Sequence, residues 1–225
     1  MSSRPGPPPR ESFTAAERAV IQRCRTPEQV QRFLNSLPYN HERGGETLRS
    51  FREVIRRRTA HCLEAALAAA VIMEQHGFPP VLVSFESMDN LDHVIFVFRR
   101  SGRWGAVSRS RDAGLHGRRP VFRTIRDLAW SYFDPYVDMT GRLTGYQLVD
   151  MRDLKDYDWR FNRKNMWKVE KFLINIPHRP MPSSDARYRR LRARYKAFRG
   201  VDPTGPVIDI YTGRERWLPL PKRYA

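Results

Sequence analysis

Leu63 and the nine residues Ala65 to Met73 are apolar, fenced only by Glu64 and Glu74, and this is the longest such run in the chain. An amphipathic surface helix would break the run with polar positions every third or fourth residue. A segment apolar nearly all round is instead one surrounded by protein, and its alanines let other layers approach closely. Thr59 is a candidate N-cap, and Gly77 before Phe78-Pro79-Pro80 is a stop. The pattern therefore predicts a buried central helix with Cys62 in its first turn.

Shorter amphipathic patterns precede it. Val20 with Cys24, and then Val30, Phe33, Leu34 and Leu37 after Thr26-Pro27, predict helices over Phe13 to Cys24 and Glu28 to Leu37. Leu37-Pro38-Tyr39-Asn40 and Gly44-Gly45 read as breaks, and Glu46 to Arg58 as a basic helix or an irregular approach to the cysteine. Downstream, Pro80 to Glu86, His93 to Phe98 and Trp104 to Ser108 have strand character, the last two joined as a hairpin through Ser101-Gly102. Beyond Pro120 the pattern predicts a helix over Phe122 to Phe133, a strand over Gly145 to Met151 and a helix over Asn162 to Ile176. Asp185 to Phe198 carries Tyr188, Leu191, Tyr195 and Phe198 at helical spacing within a basic surface, the signature of a docked helix.

These elements define an α+β protein: a buried helix against an antiparallel sheet of three or more strands, flanked by N- and C-terminal helices. Residues 1–12 read as a disordered Pro-rich lead, 13–180 as one domain, and 181–225 as a basic helix followed by a Pro-punctuated arm. No run approaches the roughly 20 apolar residues of a membrane span, and the N-terminus lacks a signal-peptide core. A cytoplasmic protein with no membrane partner is expected.

Charge changes the picture less than its size suggests. A net charge of +17 invites binding to a polyanion. However, only six of the 41 basic residues are lysines, an arginine skew that GC-rich codons produce, and the charge is spread along the chain. Weak, sequence-independent contact with nucleic acid is the expectation. Cys24 and Cys62 are the only cysteines, too few for a disulfide framework. The six histidines are scattered without metal-ligand spacing. No metal and no cofactor is expected.

What remains is the position of Cys62. The positive end of a helix and a nearby imidazolium both lower a thiol's pKa toward the nucleophilic thiolate. His93, opening a strand that follows the helix by one strand and a loop, is the candidate base. His61, although adjacent, is expected on another helical face, making backbone or solvent contacts. Cys24 reads as core and Trp104 as packing.

The ordered combination Cys62-Leu-Glu-Ala-Ala, His93-Val-Ile-Phe-Val-Phe and Gly102-Arg-Trp104-Gly-Ala-Val107 resembles the transglutaminase-like branch of the papain-like cysteine superfamily. The resemblance spans roughly residues 56 to 112. It implies a papain/transglutaminase-like core acting on a peptide or amide substrate. Cys62 attacks the carbonyl, His93 moves the proton, and water or an amine resolves the thioester. The Cys62 N–H would be one oxyanion donor, with the second unassigned. The family's Asp, fifteen residues after the His, is replaced here by Ser108. A serine accepts the imidazole N–H without stabilising imidazolium as a carboxylate does. Asp112 and Ser108 are both candidates for the third position, whereas Asp92 should point to the opposite face from His93. The same departure supports a rival reading, a degenerate basic scaffold or binding protein.

Overall fold

The computed structural model describes residues 5–90, 92–199, 216–219 and 221–224. Three short helices come first: α1 (Ala15–Arg23), α2 (Pro27–Ser36) and α3 (Phe51–Arg57). Each start is fixed locally. Thr14 and Thr26 form capping boxes with Glu17 and Gln29, Pro27 occupies the first turn of α2, and Ser50 accepts from the Glu53 N–H. Helix α4 (Cys62–Glu74) follows, with every residue from Leu63 to Glu74 buried. Its cap is His61 and not Thr59. The Thr59 hydroxyl is engaged by the Arg49 guanidinium at 2.6 Å, while Glu64 reaches back to the His61 N–H at 3.1 Å.

The sheet comprises β1 (Val81–Ser87), β2 (His93–Arg100), β3 (Arg103–Val107), β4 (Arg118–Phe122), β5 (Leu143–Asp150) and β6 (Arg179–Pro180). Its order is β4-β3-β2-β1-β5-β6, antiparallel throughout. The hairpin between β2 and β3 turns on Ser101 and Gly102, both at positive φ (49° and 75°), as a tight two-residue turn requires. Helices α5 (Ile125–Trp130), α6 (Phe133–Tyr136), α7 (Trp167–Asn175) and α8 (Asp185–Arg199) complete the described elements.

Both sheet faces are covered, which is why β1 and β2 read as near-continuous apolar runs. Leu82, Val94, Phe96 and Phe98 join α1 to α4 and α7 in one cluster. Val83, Phe85, Ile95 and Val97 join α5, α6 and α8 in the other. Helix α8 docks through buried Leu191 and Tyr195, leaving Arg189, Arg190 and Arg194 exposed.

Two of the expected helices require correction. The helix predicted over Phe122 to Phe133 is divided: Arg118–Phe122 is an edge strand, where Pro120 is tolerated, and helix begins only at Ile125 after the Thr124 cap. The helix predicted from Asn162 starts at Trp167. The two-residue strand β6 carries no periodicity that a sequence could show. Of the expected disordered lead, residues 5–12 are described; Arg10–Ser12 form a 3-10 turn, and the Pro8 carbonyl accepts from the Gln75 amide at 3.0 Å. The expected C-terminal arm lies largely outside the described residues. No described helix is long and apolar enough to cross a membrane.

Candidate active site

Cys62 occupies the first position of α4 and is partly exposed at the wall of an open cleft of about 310 Å³. Its sulfur lies 4.0 Å from the Asp92 carbonyl oxygen, at the threshold of β2. Burial pushes the thiol pKa up, but hydrogen bonds to His61 and His93, with the charges of both rings, outweigh it and bring the value down to about 5. The helix N-terminus acts in the same direction.

His93 is 3% exposed and forms a three-ring cluster with Phe85 and Tyr132, at centroid distances of 6.2 and 5.9 Å. Its Nε2 lies 3.0 Å from Ser108 Oγ and 3.2 Å from the Leu115 carbonyl oxygen. A carbonyl can only accept, so Nε2 carries the proton. The Ser108 hydroxyl donates to the same carbonyl at 3.0 Å and accepts from Nε2. This network leaves Nδ1 as the ring nitrogen able to take the thiol proton.

Ser108 is itself held firmly. The Gln31 side chain on α2 accepts from the Ser108 N–H at 3.0 Å and donates to its carbonyl at 2.7 Å. Leu115 sits on a turn clamped by buried Arg118, which donates to the carbonyls of Gly114 (2.7 Å) and His116 (2.7 Å) and packs on Tyr132 at 4.0 Å. The structure thus brings Cys62, His93 and Ser108 together. Asp112 is buried in the lining of the same cleft, but the hydrogen bonds of His93 Nε2 run to Ser108 and Leu115. Asp92 also lines the cleft, its carboxylate accepting from the Ser87 N–H and hydroxyl at 2.9 and 3.1 Å.

His61 departs from expectation. Its Nε2 does meet a backbone group, the Thr47 carbonyl at 2.9 Å, but the ring also hydrogen-bonds the Cys62 thiol. Burial lowers its pKa, yet the Cys62 hydrogen bond and charge, with Glu64, raise it to about 9. The physical reason is the cap geometry. At φ −91° and ψ −174° His61 is extended, so the helical wheel does not set its direction. Beneath it Glu64, fully buried, accepts from Asn40 Nδ2 (3.1 Å), Thr47 Oγ1 (3.0 Å) and the Arg49 N–H (3.0 Å), fastening the 40–49 loop to the start of α4.

The cleft lining contrasts with the rest of the chain. Among the described residues it holds seven carboxylates (Glu42, Glu46, Asp89, Asp92, Asp112, Asp138 and Glu170) against one guanidinium, Arg111. The Glu170 carboxyl is raised by burial and then by the charges of Glu46 and Glu42. Exposed Trp167 and Ile174 supply an apolar rim. No three described His, Cys, Asp or Glu side chains are grouped as a metal site.

No family model matches the chain, and no curated protein matches it. Among solved structures it is similar to Legionella pneumophila LapG, at 12% identity and a TM-score of 0.36, over 81% of this chain and 93% of that one.

Proposed function

We propose that this protein is a cysteine-dependent acyl-transfer enzyme, an amide hydrolase or amine acyltransferase of the transglutaminase-like type. The observation that carries the reading is a thiol at a helix N-terminus, with its pKa near 5, in hydrogen-bonding contact with a buried histidine beside an open cleft. Cys62 attacks a carbonyl carbon. His93 takes the thiol proton and returns it to the leaving amine, and water or an amine then resolves the thioester. Ser108 and the Leu115 carbonyl fix the His93 tautomer, and His61 holds positive charge beside the thiolate. The resemblance of the Cys62, His93 and Gly102-x-Trp104 order to the superfamily supports the same chemistry.

The experiment is turnover of peptide amides with and without hydroxylamine as acceptor. Release of ammonia or amine that disappears in Cys62→Ala is expected, and hydroxamate formation would separate transfer from hydrolysis. A protein whose Cys62 reacts with thiol reagents but forms no thioester would place the scaffold reading first, a reading that Ser108 in place of a carboxylate favours.

A further inference from the structure

Tetrahedral intermediates need two hydrogen-bond donors on the developing oxyanion, and the Cys62 N–H supplies only one. As a first-turn amide it has no preceding carbonyl to bond, and no acceptor for it occurs among the described residues. The second donor should lie on the same cleft wall, be rigidly held, remain protonated at working pH and lack a protein partner. Tyr39 meets these conditions.

We propose that Tyr39 is the second oxyanion donor, its phenol O–H hydrogen-bonding the carbonyl oxygen of the acyl group that Cys62 attacks. The inference rests on the nucleophile reading of Cys62. Tyr39 lines the Cys62 cleft, and its backbone is paired in parallel with Ala60, two residues before the nucleophile. The bridge consists of the Asn40 N–H to the Ala60 carbonyl at 3.2 Å and the Ala60 N–H to the Pro38 carbonyl at 3.4 Å. Asn40 is also tied to Glu64 on α4, so Tyr39 and Cys62 share one rigid frame. The ring is fixed edge-on by His41 at 5.0 Å and by the Arg109 guanidinium at 5.7 Å from its centroid. Arg109 in turn donates to the Leu37 carbonyl at 3.2 Å.

The phenol oxygen carries no hydrogen bond among the described residues. Tyr39 is half-buried at the cleft wall, so its hydroxyl is accessible to a group bound in the cleft. Burial, and then the Cys62 charge, push its pKa well above the usual phenol range, so it acts as a donor and not as a base. In the reaction the thiolate forms the C–S bond as the carbonyl π pair moves onto oxygen. Tyr39 donates to that oxygen and keeps its proton. Collapse restores the carbonyl and expels the leaving group with its bonding pair.

The test compares two reactions of Cys62 in wild type and Tyr39→Phe. Acylation by p-nitrophenyl acetate passes through an oxyanion, with p-nitrophenolate leaving, whereas alkylation by iodoacetamide is a direct displacement that needs no oxyanion donor. Tyr39→Phe should slow acylation by about 10²-fold, as loss of one oxyanion donor does, and leave alkylation within about twofold. Unchanged acylation in a variant whose Cys62 still alkylates overturns the Tyr39 assignment alone. Parallel loss of both reactions also overturns it, because Tyr39 then acts on the thiol. A wild-type Cys62 inert to iodoacetamide defeats the nucleophile reading and this inference with it.

Discussion

The chain carries the same functional group at two helix ends, and the two ends treat it oppositely. Cys24 is the C-cap of α1, 2% exposed, and burial raises its pKa against the lowering pull of Arg23 and Arg32. Cys62 opens α4, and despite burial the two imidazoles bring its pKa to about 5. Helix polarity reinforces the difference, since a C-terminus disfavours an anion and an N-terminus favours it. Nearby positive charge is therefore not sufficient. Cys24 has a hydrogen bond from Arg23 and the charges of Arg23 and Arg32, yet burial outweighs them and it remains a core thiol, while Cys62 has two imidazoles in contact and an open cleft in front.

The largest test of this contrast is differential alkylation followed by peptide mass spectrometry. A thiol reacts as its thiolate, so its rate rises with pH through the folded-state pKa. The Cys62 rate should be half-maximal near pH 5, whereas the Cys24 rate should still be climbing at alkaline pH, because burial raises that thiol's pKa. A low-pKa thiolate is intrinsically the weaker nucleophile, which offsets much of the gain near neutrality. At pH 6 the ionised fraction wins by roughly tenfold, and exclusion of reagent from buried Cys24 widens the ratio toward about 10². Equal rates at pH 6 would erase the distinction between the two ends.

The next effect apportions the activation between the histidines. His61→Ala and His93→Ala should each move the Cys62 alkylation midpoint upward, because each ring supplies a hydrogen bond and a charge that lower the thiol's pKa. The shifts should not add, since both rings act on one thiolate. A midpoint unmoved in His93→Ala would detach that ring from the site.

How much of this was legible beforehand depends on the range of the interaction. The apolar run after Cys62, the strand at His93 and the Ser101-Gly102 hairpin are local patterns, and each specifies its element and direction. The α+β architecture with its buried helix follows from them. Tyr39 was legible only as part of a chain break, because its bridge to Ala60 is tertiary. Gln31 and Arg118, which hold Ser108 and the Leu115 turn, look like any other surface Gln and Arg until the sheet brings them in. Arg118 in particular is one basic residue among 41. His61 escapes helical-wheel reasoning because, as the cap, it is extended and not helical.

A smaller effect separates local from global charge. The chain's net +17 favours an anionic thiosulfonate at long range, but the cleft carboxylates favour a cationic one at the sulfur. Cys62 should react several-fold faster with the cationic reagent at low salt, and Glu46→Gln with Glu170→Gln should remove most of that preference. Faster anionic labelling would mean that the whole-molecule field dominates the site.

The smallest expected effect concerns Ser108, and the reason lies in the second acceptor on His93. In a serine triad, exchanging the aspartate costs about 10⁴-fold because the imidazole adopts the wrong tautomer and its cation loses a counter-charge. Here Nε2 also faces the Leu115 carbonyl at 3.2 Å, so Ser108→Ala removes one acceptor but leaves the tautomer set. No counter-charge is lost, because a hydroxyl never supplied one. Ser108→Ala should therefore reduce Cys62 acylation only about threefold to tenfold and leave its iodoacetamide midpoint nearly unmoved. Ser108→Asp tests the converse: a carboxylate at 3 Å from Nε2 would stabilise imidazolium, but it would also face the Leu115 carbonyl without a proton to donate. A rise in acylation would show that the native site works without the electrostatic support a carboxylate gives. A loss greater than about 10²-fold in Ser108→Ala would instead show that Leu115 cannot hold the tautomer alone, and that the hydroxyl carries the orienting role.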